Sequence, residues 1–188
     1  VPFVEDAIEE LVRQYIEHPY AHRVEHSLHA EFYRILTGHP HLSRRYPLGT
    51  TGYRTGLVHK EWPETVPRPD KAGRRGNFDI VILAPTQLAA ISSIDQFTRG
   101  EIAAPIVIEL GLGYGETHLT GDVIKLRTSR VHHPYLVHFS HVRSRRHAAT
   151  ETAVMKVQPP LQVAYVRHDP GAKTIYIKHL ADTTIKTT

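Results

Sequence analysis

Apolar residues recur at helical spacing in two N-terminal stretches. Val4, Ile8, Leu11, Val12 and Ile16 fall on one face of a 3.6-residue repeat, and Leu28, Phe32, Ile35 and Leu36 repeat it between Val24 and Leu36. Two helices are predicted, the second ended by Gly38 and Pro40. Residues 39–56 are rich in glycine, proline and arginine and read as an exposed connection. A strand is predicted over 57–62. Residues 63–76 carry three prolines, two glycines, two acids and four basic residues, a composition for a mobile, substrate-facing loop. Further along, N-F-D-I-V-I-L (77–83) and I-V-I-E-L-G-L (106–112) are short apolar runs that each hold a single acid, and both read as buried strands. The stretch 86–102 between them is ambiguous.

After a glycine-rich turn at 111–115, the pattern predicts a helix over 117–128 capped by Thr117. A strand over 135–139, a basic stretch over 141–147 and a helix over 148–157 follow. Two alternating runs, 161–166 and 173–180, are joined by Asp169-Pro170-Gly171 and read as a hairpin. There is no internal repeat. This order predicts an α/β fold, a three-layer sandwich with a central mixed sheet flanked by helices.

A chain of 188 residues with 40% hydrophobic content is long enough for one substantial core, and a single domain over 1–188 is expected. Lysine plus arginine exceed aspartate plus glutamate by 23 to 19, with a pI near 9.4, a mild excess that suits a polyanionic partner. Cysteine is absent, which excludes disulfides, thiolate zinc sites and a cysteine nucleophile. Any metal must sit on oxygen or imidazole. No apolar run reaches the roughly 18 residues of a membrane span, and no signal pattern opens the chain, so no membrane partner and a cytoplasmic location are expected.

An acid inside an apolar strand is costly unless it is paired, hydrogen-bonded or bound to a cation. Asp79 and Glu109 on neighbouring strands would place two carboxylates within reach of one Mg²⁺ or Mn²⁺ ion, with the backbone carbonyl of Leu110 as a further ligand. Such an ion activates water and offsets charge on a phosphate during phosphodiester cleavage.

G-R-R-G-N-F-D-I-V-I followed by P-I-V-I-E-L-G-L resembles the paired-strand motif of PD-(D/E)XK endonuclease-like proteins, whose first strand gives an aspartate and whose next gives Glu-x-Lys. The resemblance covers roughly 24–139. It implies a restriction-endonuclease-like fold and catalytic, metal-binding roles for Asp79 and Glu109. Members often add a glutamate from the preceding helix, and Glu31 in E-H-S-L-H-A-E-F-Y-R-I-L stands in that place. Two departures are visible. Asn77-Phe78 replaces the name-giving proline, and Gly111 replaces the lysine that would orient or help activate the attacking water. Some relatives supply that lysine from the next helix, where Lys125 is the substitute. His118, Asp122 and Lys125 share one helical face at i, i+4 and i+7.

Simpler readings exist for each residue. Asp79 would cap a turn or pair with Arg74 or Arg75, Glu31 would be a solvated helix acid, and Lys125 a surface lysine near a helix end. The histidines, including His22, His26 and His29, lack the H-E-x-x-H pattern and read as solvated or capping residues. G-L-G-Y-G lacks the spacing of a nucleotide-binding loop. Arg74, Arg75, Arg143, Arg145, Arg146 and His147 are candidate phosphate contacts. The expected function is a metal-dependent nuclease acting on DNA more than RNA, which a twofold homodimer would suit for cutting a duplex. Two alternatives remain open: a nuclease-fold domain without catalysis that binds nucleic acid or assembles with protein, and a protein-interaction domain whose basic surface is incidental.

Overall fold

The computed structural model describes residues 2–68, 72–141, 146–169, 171, 174–178 and 183–187. Helices α1 (Pro2–Glu17) and α2 (Glu25–Gly38) form over the two stretches with helical apolar spacing. α1 buries Val4, Ile8, Leu11 and Val12, and α2 buries Leu28, Phe32 and Leu36 with His29 beside them. Their outer faces carry ion pairs at i+3 and i+4, Arg13 with Glu10 and Glu17, and Arg34 with Glu31.

The connection after α2 is more ordered than its composition predicts. It pairs β1 (Tyr46–Pro47) with β2 (Arg54–Thr55), and it buries Leu42 and Leu48. Two isolated leucines give no periodicity, so only the core they enter reveals them. Strand β3 (Val58–Pro63) follows, then β4 (Asn77–Ile82) and β5 (Ile106–Leu112). The ambiguous stretch between β4 and β5 holds two short helices, α3 (Pro85–Ala89) and α4 (Ile94–Thr98).

Next come α5 (Glu116–Thr128), β6 (His133–His141), α6 (Arg146–Met155) and β7 (Gln162–His168). The expected Thr117 cap is corrected: Gly115, in extended conformation, holds the cap position without a side-chain bond, and the helix starts one residue earlier. The final hairpin of β7 with β8 (Thr174–Lys178) forms as the alternation predicts, and Asp169 Oδ1 accepts the Gly171 N–H at 2.9 Å in its turn. A further strand, β9 (Thr183–Thr187), extends it. Its threonine-rich sequence carries no apolar alternation to announce it.

The seven strands from β3 to β9 lie side by side in chain order, with β5, β6 and β7 parallel and every other neighbouring pair antiparallel. Parallel neighbours need crossovers, and right-handed crossovers running in one direction place α5 and α6 on the same face. Adjacent residues of β6 show the two faces. Phe139 packs on Tyr15 of α1 with ring centroids 4.5 Å apart, whereas Ser140 Oγ lies 2.7 Å from Nδ1 of His147 on α6. The sheet is therefore the middle of three layers, with α1 and α2 on one side and α5 and α6 on the other. No helix among the described residues is long and apolar enough to cross a membrane.

Phe139 is fully buried in the contact between α1 and the sheet. Phe139→Ala is expected to lower unfolding free energy by about 3–5 kcal/mol, read from urea denaturation.

Candidate active site

The β4–β5 ladder runs through Ile82↔Ile106, Val81↔Val107 and Ile80↔Ile108 and stops there. Asp79 is the next residue outward. Its Oδ2 accepts the backbone N–H of Leu110 at 2.8 Å, so a side chain takes over a donor at the point where strand pairing ends. Asp79 neither caps a turn nor pairs with Arg75, whose guanidinium instead donates to the carbonyls of Arg99 and Gly100. Continued by one step, the register sets Asp79 opposite Glu109 on the sheet face covered by α5.

Glu109 is 1% exposed. Lys125 Nζ reaches it from α5, donating to Oε2 at 2.6 Å and to the Asn77 carbonyl at 3.0 Å, with Asp122 Oδ1 at 3.8 Å. Lys125 does lie in the last turn of α5, but it is buried inside the carboxylate cluster and not on the surface. His118 Nδ1 stands 3.2 Å from Asp122 Oδ2, which places the whole His118, Asp122, Lys125 face toward the fork.

Position 111 has no room for a side chain. Gly111 pairs with His138 on β6, and a Cβ built on it would lie 2.4 Å from His138 Nδ1. The imidazole fills the space that any side chain at 111 would need. Burial pulls His138 down to about 4, so it is neutral near pH 7, and it hydrogen-bonds the backbone of Tyr114 and stacks on Tyr165. A neutral ring thus fills the space beside Gly111, while an ammonium reaches Glu109 from the next helix.

The layer on the other side contributes Glu25 and His29, not Glu31. Glu31 is bound to Arg34 at 2.6 Å, away from the fork. Six residues earlier on α2, Glu25 Oε1 lies 3.3 Å from His29 Nε2, which in turn lies 3.8 Å from Asp79 Oδ2. His29 is 2% exposed and so is neither solvated nor a cap. The Tyr114 hydroxyl donates to Glu25 Oε2, and its ring stacks on His118. The signal for Glu25 and His29 was their i, i+4 spacing, which a search for paired histidines passes over.

These residues enclose a cleft of about 280 Å³, lined by the acids Glu25, Asp79, Glu109 and Asp122 and by the bases Arg68, His118 and Lys125. A larger cavity of about 330 Å³, between Tyr33, Arg45 and His59, contains no acid. The four acids gather in the smaller one. No family model, curated protein or solved structure matches this chain.

The donor set fits a divalent cation. Glu109 Oε1 and both nitrogens of His29 are buried without a hydrogen-bond partner among the described residues, a cost that coordination would remove. Burial pushes the Asp79 carboxyl up despite the Leu110 N–H, His29 and Lys125. Burial and then the Asp79 charge push Glu109 well above the carboxylate range, and burial raises Asp122. For Glu25 burial is outweighed by the nearby His29 imidazole and the Tyr114 hydroxyl, and the net direction is downward. Burial pulls on Lys125 too, but Glu109 and the other acids outweigh it, so the lysine keeps its proton. Excess acid is the character of this cleft. Asp79, Glu109 and Asp122 titrate as a set above their ordinary range.

Of the expected phosphate contacts, Arg74 is exposed on the loop before β4 and Arg75 braces the turn after α4. Arg143 and Arg145 lie outside the described residues, and Arg146 opens α6. Arg68, in the cleft itself, is an addition that its proline-rich surroundings concealed.

Gly111→Ala is expected to cost about 1–3 kcal/mol through overlap with His138, and His138→Ala in the same chain to recover part of it, measured as a double-mutant cycle. In EDTA, the folded cluster retains protons that the unfolded chain releases above the ordinary 3.8 of Asp and 4.5 of Glu. Its stabilisation is complete below those values and is lost as pH rises through the raised ones, with Glu25 opposing in part. Histidines held below their ordinary value, His138 among them, act in the opposite sense, so the readout is a difference: relative to Glu109→Gln, the parent's melting temperature in EDTA is expected to fall as pH rises above those carboxylate values, and to fall less with Mg²⁺.

Proposed function

We propose that this chain is a divalent-metal-dependent nuclease, a divergent PD-(D/E)XK-type domain of restriction-endonuclease-like fold, hydrolysing phosphodiester bonds in DNA in preference to RNA. The observation that carries this reading is the Lys125–Glu109 contact beside Asp79, which assembles an aspartate, a glutamate and a lysine in one cleft. The motif lysine is not lost in this reading but relocated, because His138 excludes it from 111.

Asp79, Glu109 and the Leu110 carbonyl would hold Mg²⁺ or Mn²⁺. A bound cation supplies positive charge against the charge that builds on the phosphate and lowers the pKa of water. Lys125 has three N–H donors, of which Glu109 and the Asn77 carbonyl take two. The third is left to orient the attacking water. Glu109 accepts the Lys125 N–H at Oε2, and its Oε1, without a partner among the described residues, is left for the cation or the water. Arg68 and His118 at the cleft, with Arg74 on the loop leading into β4, supply positive charge toward a phosphate backbone. Two copies related by a twofold axis would address both strands of a duplex.

The test is cleavage of labelled single- and double-stranded DNA and RNA in Mg²⁺ and Mn²⁺. The parent is expected to cut DNA fastest, and Asp79→Ala and Lys125→Ala each to lose about 10²-fold or more in rate. A parent that binds DNA and cuts nothing under either metal overturns the enzyme reading in favour of a nucleic-acid-binding module.

A further inference from the structure

We infer that Glu25, His29 and Asp79 form a second cation site in the cleft, whose nitrogen donor selects a first-row transition ion of the Mn²⁺ class over Mg²⁺. This deepens the nuclease reading by naming the cation of the same cleft, and it rests on that reading only for what the cleft does.

The three side chains each offer a donor atom, and these atoms lie within 4.8 Å of one another. Octahedral bonds of 2.0–2.1 Å set adjacent donors about 2.9 Å apart and opposite donors about 4.1 Å apart. The observed 3.3 Å from Glu25 to His29 and 3.8 Å from His29 to Asp79 fall between those separations, so small side-chain rotations close the set on an ion.

Burial gives the independent pointer. The His29 side chain is 3% exposed, its two nitrogens have no hydrogen-bond partner among the described residues, and Nε2 faces two carboxylates. An imidazole in that condition is costly unless something binds it. The carboxylates on either side are held in place, Glu25 through Oε2 by the Tyr114 hydroxyl and Asp79 by the Leu110 N–H at Oδ2, the oxygen that also faces His29. Such outer contacts fix the orientation of metal ligands. They leave Glu25 Oε1 directed at His29.

The ligand chemistry sets the preference. Mg²⁺ takes oxygen and keeps its waters, whereas imidazole suits transition ions. Asp79 serves both positions. Glu109 and Lys125 stand on its α5 side, and Glu25 and His29 come from α2 on the other.

Mn²⁺ and Mg²⁺ binding to the full chain without nucleic acid, by titration calorimetry, is the test, with pulsed paramagnetic resonance of the Mn²⁺-loaded protein to detect a coordinated ¹⁴N. The parent is expected to take one more equivalent of Mn²⁺ than of Mg²⁺ and to show ¹⁴N coupling. His29→Gln, which keeps a side chain of similar length, is expected to lose both the coupling and the extra equivalent, with Mg²⁺ affinity unchanged within about twofold. A parent without ¹⁴N coupling, or a variant that retains it, overturns the inference. The two readings fail separately. Nitrogen-coupled Mn²⁺ without cleavage sinks the nuclease alone, and cleavage in Mg²⁺ without nitrogen coupling sinks the second site alone.

Discussion

Everything in the cleft follows from the burial of Glu109 in the middle of a parallel strand. A carboxylate at that depth must find a cation, and the protein provides Lys125 from the crossover helix at 2.6 Å. That contact fixes the rotation of α5 about its axis, because Lys125 faces the sheet only if His118 and Asp122 face it as well. It also ties the start of β4 to α5, through the second Lys125 bond to the Asn77 carbonyl. Such buried pairs do little for net stability, since desolvation offsets most of the attraction. Their effect is to fix geometry.

The fork between β4 and β5 is the second half of the arrangement. While a ladder continues, the sheet separates the helices on its two faces. Where the ladder ends at Ile80↔Ile108, Asp79 satisfies the Leu110 N–H and its carboxylate stands in the gap. Residues from both helical layers then meet at one atom group: His29 from the α2 side, and Lys125 through Glu109 from the α5 side. A cleft so formed has acids in excess, and the upward direction of Asp79, Glu109 and Asp122 expresses the same fact in proton affinity.

Much of the fold was legible because its elements are periodic. The α1 and α2 stripes, the two acid-bearing runs and the terminal alternating pair all carry patterns that survive without neighbours. β9 and the β1–β2 pair do not, being short or polar, and they exist because a partner strand supplies their hydrogen bonds. Asp79 and Glu109 stood out as acids among apolar residues, and Lys125 by its helical spacing to His118 and Asp122. Glu31 stood out by its place in a motif and Glu25 did not, yet the two differ by six residues, which turns them to different sides of the helix.

The sequence by itself determined the alternation of helices and strands, the acids embedded in two of those strands, and the absence of any lysine at 111. Tertiary structure alone decided that position 111 leaves no room for a side chain and that Lys125 is the cation beside Glu109. His138 is 27 residues beyond Gly111 and meets it only through parallel pairing of β5 with β6. Glu25 and His29 lie some 50 residues before Asp79 and reach it only because the ladder opens there. Local patterns record which face of an element is apolar; which side chain fills a space left by another depends on register, and register is a property of the assembled sheet.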